Sequence, residues 1–381
     1  MKFLLALAVM AGTCLAAIGQ TNSSSTGGRP PAFMAAQASP TGHVGVVIVP
    51  SLEKPANARL LEEKDFAGYI LTYFKDQTHS VHFAISWDGY TFVDVNGGRP
   101  VLDGGLLAEQ KGVRDPHITR GLDGAFYLVM TDLHIAARRA GLRTNEWERP
   151  AERYGWGNNR AIVLMKSFDL IHWTCSDFRV DKAFAEYSDI GCAWAPQTIY
   201  DASKGRMMVY FTMRQGGVTD CNLYCSYADD AFTKLETKPG VIPDIGGIDG
   251  DIIQAGGKFY LHYVSDTKIR HAVSDQIDRG YKGGPERIDP NTVATEAPNV
   301  FKRLGTGTYV LMYDVYGARP NNMGFSETTD FVTYKDIGRF NEGVMKTVNF
   351  SRPKHGAVTY LTSDELKSIA SHWKVDAGTR P

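Results

Sequence analysis

One pattern recurs five times along this chain. Each copy has an aromatic-rich strand, a polar loop, a second strand, then a Ser or Asp cluster and an aromatic residue. The copies are GYILTYF…VHFAISWDGYTF (68–92), GAFYLVMTD…AIVLMKSFDLIHW (124–173), GRMMVYFTM…NLYCSYADDAF (205–232), GKFYLHYVSD…IRHAVSDQIDRGY (257–281) and GTYVLMYDVY…MGFSETTDFVTY (307–334). Their marker serines, Ser86, Ser167, Ser226, Ser274 and Ser326, are 81, 59, 48 and 52 residues apart, so the unit is constant and the loops vary. Alternation of β-branched and aromatic with polar residues reads as strand, and Gly/Asp/Asn clusters punctuate it. The 39 glycines and 11% aromatics suit short strands with many turns. Repeated strand units of this size predict an all-β, five-bladed propeller, with a double sandwich as the plainer alternative.

A second series sharpens this prediction. Four units follow a short strand: RDPHITR at 114, AWAPQTIY at 193, IDGDIIQ at 248 and TEAPNVFKR at 295. The first unit has none immediately upstream, and KHGAVTYL (354–361) is spare at the C-terminal side. Ring closure needs that strand as the innermost of the first blade, and closure leaves few open strand edges. Four strands per blade are expected. Thr362-Ser-Asp-Glu365 reads as a capping box opening a C-terminal helix.

The first 19 residues have a charged start, an apolar run from Phe3 to Met10 and a small-residue zone through Ala17 and Gly19, as in a secretory signal peptide. The expected organisation is signal peptide 1–19, flexible linker 20–40, propeller 41–361 and helical tail 362–381, with a secreted or periplasmic location. Four cysteines then remain, Cys175, Cys192, Cys221 and Cys225. Export permits disulfides, but no zinc-type CxxC spacing occurs, and buried free thiols are expected. Net charge is −1, without a basic run that would recruit nucleic acid, and no later apolar stretch is long enough to span a bilayer. A monomer is expected.

Aligning the starts of the inner strands puts Asp115, the Trp194-Ala-Pro196 turn, Asp249, Glu296 and His355 at one place. An isolated loop acid ordinarily caps a turn, but three converging at one end of an axis argue for a site. Carboxylates held close together push their pKa values apart, leaving one as acid and another as base. Acetal hydrolysis needs that pair, for protonating the leaving oxygen and activating water on the opposite face. Trp194 is placed to stack on a sugar ring, and Trp156 and Asn158 of GWGNNR (155–160) are further candidates for substrate binding.

The series RDP, WAP, IDG and EAP, with DGAFYLVMTD, SFDLIHW and APQTIYDASKGRMMVYF, resembles the family 43 glycoside hydrolases over roughly residues 60–361. Those are five-bladed propellers that cleave arabinose- and xylose-containing glycans with inversion. The resemblance implies Asp115 as general base, Asp249 as the acid that tunes and orients the donor, and Glu296 as general acid. His355 then matches an axial histidine near a structural Ca2+, held through water. No cofactor is implied as required. Gly250 stands where the family often has proline, and a whole strand pair precedes the RDP strand. The expected function is an exported inverting hydrolase removing arabinofuranosyl or xylosyl units from plant-type oligo- or polysaccharide. The alternatives are a retaining fructan- or sucrose-type hydrolase on a related propeller, and a non-catalytic sugar-binding propeller.

Overall fold

The computed structural model describes residues 45–144, 149–216, 220–284 and 286–375. The signal segment 1–19 and the linker 20–40 lie outside them. The chain divides between Ala35 and Ala36, and every described residue belongs to the second unit.

Five antiparallel blades follow the repeats. Blade 2 runs outward through Val113–Arg120, Phe126–Asp132, Ala161–Ser167 and His172–Arg179, and blade 3 through Ile190–Asp201, Arg206–Gln215, Asn222–Tyr227 and Gly240–Gly246. Blade 4 comprises Ile248–Ala255, Lys258–Ser265, Lys268–Ser274 and Lys282–Gly283, and blade 5 Glu296–Lys302, Tyr309–Val315, Asn322–Thr328 and Lys335–Arg339. Blade 1 is assembled from both ends of the ring: Lys354–Thr362 pairs antiparallel with Phe66–Phe74, which leads outward to Val81–Ser86 and Thr91–Asp94. Strands near the axis are buried on both faces because each blade is clasped by two others; seven consecutive residues of Phe66–Phe74 are buried.

Five apolar clusters fill the five interfaces between blades. Ile70, Phe83, Phe126 and Trp173 join blades 1 and 2. Tyr69, Leu71, Phe301 and Met312 join blades 1 and 5, across the point where the ring closes. The C-terminal helix, Ser363–Trp373, packs Leu366, Ile369 and Trp373 into the first of these clusters. Its capping box forms as expected: Glu365 N donates to Thr362 Oγ1 (3.2 Å), and Thr362 N donates to Glu365 Oε2 (2.8 Å). Thr362→Ala is expected to cost about 1 kcal/mol, seen as a lower urea midpoint at unchanged slope.

Two details differ from the sequence reading. Blades 1 and 2 have five strands, because Lys346–Thr347 and Val47–Ile48 add in parallel to their outer edges. The marker of blade 5 is Thr328, not Ser326. Thr328 accepts from Phe331 N, with Asp330 receiving Val332 N and Thr333 N, the same turn that Ser167 and Asp169 make in blade 2.

Candidate active site

Each inner strand carries the same defect near its start. Asp115, Ala195, Asp249, Ala297 and His355 all have positive φ (52, 44, 53, 60 and 28°). In each, two residues of the inner strand oppose one on its partner, which is a β-bulge. The second bulge position makes no ladder bond and holds Pro116, Pro196, Gly250, Pro298 or Gly356. Gly356 is required there, since a Cβ would lie 2.1 Å from Thr72 O. At Gly250, a Cβ would lie 2.7 Å from Leu223 Cδ1, so a larger residue there requires this side chain to shift. Non-glycine residues at positive φ are costly and persist where the surroundings hold them. Here a side chain on the preceding blade takes the bulge N–H in four of the five cases. Ala195 N donates to Thr131 Oγ1 (2.8 Å), Asp249 N to Thr212 Oγ1 (3.0 Å), Ala297 N to Asp249 Oδ2 (3.2 Å) and His355 N to Asp314 Oδ2 (3.2 Å).

The bulges correct the alignment of the acids. Asp115, Asp249 and His355 share the positive-φ position, but Glu296 precedes it, level with Arg114, Trp194, Ile248 and Lys354. Two carboxylates and an imidazole therefore form one layer, and Glu296 stands one residue nearer the open end. Its side chain is 28% exposed, against 14% for Asp115.

His355 Nδ1 lies 3.3 Å from Asp115 Oδ1, and Thr131 Oγ1 donates to Asp115 Oδ2 at 2.8 Å. Burial disfavours charge on both partners, but their mutual attraction prevails. Asp115 is held well below the usual carboxylate range, mainly by His355, and His355 is pushed up to about 9, mainly by Asp115. Asp249 is raised to about 7, by burial first; His355 opposes this, while Glu296 and Asp115 add to it. One acid of the layer is thus ionised at neutral pH while another carries a proton part of the time.

Trp194 flanks this layer. Its Nε1 donates to Gly157 O (2.8 Å), the Arg214 guanidinium lies over its ring at 4.6 Å, and Trp156 packs edge-on at 6.1 Å. Trp156 itself is 54% exposed. Asn158 is occupied inside its own loop: Nδ2 donates to Arg149 O and Gly155 O, and Oδ1 accepts from Arg149 Nε. The structure thus gathers Asp115, Asp249, Glu296 and His355 around the axis, with Trp194 on the inner strand of blade 3 and Trp156 against its ring.

The sequence reading missed three charged groups. Asp76, in the turn between the first two strand segments of blade 1, accepts from Arg114 Nη1 (3.0 Å) and lies 3.6 Å from Lys354 Nζ. Asp314 is the cross-strand partner of Glu296. Lys354 Nζ stands 3.7 Å from Glu296 Oε1. Lys354 adjoins His355 in the sequence and so carried a signal; Asp76 and Asp314 come to the site only through folding.

For the implied axial Ca2+, no group of three or more His, Cys, Asp or Glu side chains is arranged as a ligand set among the described residues. His355 Nδ1 is engaged by Asp115. The residues present do not form a direct cage for such an ion, and no step below is routed through one. Cys175, Cys192, Cys221 and Cys225 are free thiols in this structure. Among the described residues no helix is long and apolar enough to cross a membrane.

Residues 64–367 match a family model described as "Probable glycosyl hydrolase domain", a group related to glycoside hydrolase family 43. No curated protein matches the sequence. Among solved structures, the chain is similar to the catalytic domain of a family 62 α-L-arabinofuranosidase from Coprinopsis cinerea (15% identity, 64% of this chain and 73% of that one, TM-score 0.44). It is also similar to an α-L-arabinanase from Cellvibrio cellulosa solved with arabinohexaose (13% identity, 71% and 91%, TM-score 0.46). A family 43 enzyme from Xanthomonas citri solved with xylose aligns at 13% identity over 60% of this chain and 74% of that one, with a TM-score of 0.43.

Proposed function

The chain belongs to the family 43-related glycosyl hydrolases, and from that premise we propose that it is an exported, inverting hydrolase that removes arabinofuranosyl or xylosyl units from plant-type glycans. The observation that carries the mechanism is the unequal state of its acids. Asp115, paired with His355, is ionised through neutral pH and can take a proton from water. Glu296, one step nearer the open end and flanked by Asp249 and Asp314, is placed to give one to the leaving oxygen. In the step, the water oxygen bonds to the anomeric carbon as the glycosidic C–O bond breaks. Asp115 receives the proton of the water, and the departing oxygen takes one from Glu296.

Asp249 bonds the backbone N–H of Ala297, next to Glu296, so it fixes the donor's strand as well as its electrostatic setting. Trp194 and the exposed Trp156 offer an aromatic wall for sugar rings. The leader-like start of the chain, residues 1–19, supports export. Screening aryl α-L-arabinofuranoside, β-xyloside and β-galactoside tests the substrate class. Turnover is expected on one of the pentosides, and turnover confined to the galactoside would overturn the pentose reading.

Asp249→Asn holds this position uncharged at every pH, as Asp249 itself is only below its midpoint of protonation. Because Asp249 titrates near 7, any inflection of kcat/KM centred there is expected to disappear in this variant, with kcat lowered about 10- to 100-fold. An unchanged profile would remove Asp249 from the set that tunes the donor.

A further inference from the structure

Lys354 has no part in the scheme above, although its ammonium is shared by three carboxylates. Nζ lies 3.7 Å from Glu296 Oε1 and 3.6 Å from Asp76 Oδ2. Burial would lower its pKa, but Asp314, then Glu296 and Asp76, raise it, so Lys354 is a cation throughout the working range. The carboxylates are themselves fixed: Asp76 by Arg114 Nη1 at 3.0 Å, and Asp314 by its place opposite Glu296 and its bond from His355 N. The Lys354 side chain is 11% exposed against 28% for Glu296, so the ammonium is the more buried partner of the pair.

We propose that Lys354 is a positioning residue for proton donation, fixing the Glu296 carboxyl and stabilising the carboxylate left when its proton departs, with Asp76 and Asp314 anchoring the ammonium. The inference rests on Glu296 being the donor. A cation about 4 Å from a carboxyl favours its ionised form by an amount that is substantial in a partly buried setting. Glu296 meets charge from several elements: Asp249 on blade 4, Asp314 on its own blade, Lys354 on the closing strand, and Asp76 behind Lys354, with the Tyr316 hydroxyl also close.

The test compares Lys354→Met, Lys354→Arg, Asp76→Asn and Glu296→Gln on an oligosaccharide and on an aryl glycoside with a good leaving group. Lys354→Met is expected to lose about 30-fold in kcat on the oligosaccharide and less than about 5-fold on the aryl glycoside. The limb of its kcat/KM profile that reports the proton donor should move up by about one pH unit. Lys354→Arg should restore most of both. Asp76→Asn, which leaves the ammonium less neutralised, should move the same limb down. Opposite displacements in two variants cannot come from fold damage, and Asp76→Asn with Lys354→Arg keeps the test open if Lys354→Met fails to fold. A raised KM with unchanged kcat and limb would make Lys354 a substrate contact, and equal losses on both substrates with an unmoved limb would make it purely structural. Either result overturns the inference. Equal losses on both substrates in Glu296→Gln would instead overturn the donor assignment.

Discussion

Glu296→Gln is expected to lower kcat on a natural oligosaccharide by about 10³-fold, yet to cost less than about 10-fold on an aryl glycoside whose phenol is a good leaving group. The reason is where charge develops. A sugar alkoxide is a poor leaving group and departs only as a proton reaches its oxygen, whereas an activated phenolate leaves unaided. Glutamine keeps the shape of Glu296 and much of its contact with Lys354, 3.7 Å away, so the contrast isolates the proton rather than the fold. Paired kinetics on the two substrates measure it. Equal losses would remove Glu296 as donor.

Asp115→Asn is expected to lower kcat on both substrates by a similar factor, about 10³-fold, because water must be deprotonated whatever leaves. This variant also carries a stability signature. His355, raised from 6.5 to about 9 in the folded protein, contributes stability that is whole below pH 6.5 and is lost as pH rises through 9. Asp115, held below its ordinary 3.8, contributes stability that is present above that value and is lost as pH falls towards its folded pKa. Both contributions vanish when the carboxylate is removed. The gap in melting temperature between wild type and Asp115→Asn is therefore expected to be widest between about pH 4 and 6.5 and to close as pH rises past 9. A gap that stayed constant with pH would mean that the Asp115–His355 contact, 3.3 Å long, is not an ion pair.

The ring was legible because its signals are local. The strand runs, the four tripeptides and the unpaired first unit required the closing strand at 354–361, which the structure places beside Phe66–Phe74. The two-residue additions, Val47–Ile48 and Lys346–Thr347, are too short to show any period. The offset of Glu296 has a different origin. Alignment by acid put it level with Asp115, whereas alignment by the prolines that follow, Pro116, Pro196 and Pro298, puts Ala297 there, as the positive φ angles do. The proline marks a backbone feature and the acid a chemical one, and only the backbone feature repeats. Asp76 and Asp314 were hidden because nothing near them in the sequence differs from a solvated turn or a strand end. Their environment is made by Arg114 and Lys354, which join them only in the folded ring.

The central claim is that Asp115 delivers water to one face of the sugar while Glu296 protonates the oxygen leaving from the other. Time-resolved proton NMR of the first sugar released from whichever aryl pentoside is turned over tests it most directly, before mutarotation mixes the anomers. The expected product has inverted configuration at the anomeric carbon. A first-formed product of retained configuration would require a covalent intermediate on a carboxylate, and would contradict the account.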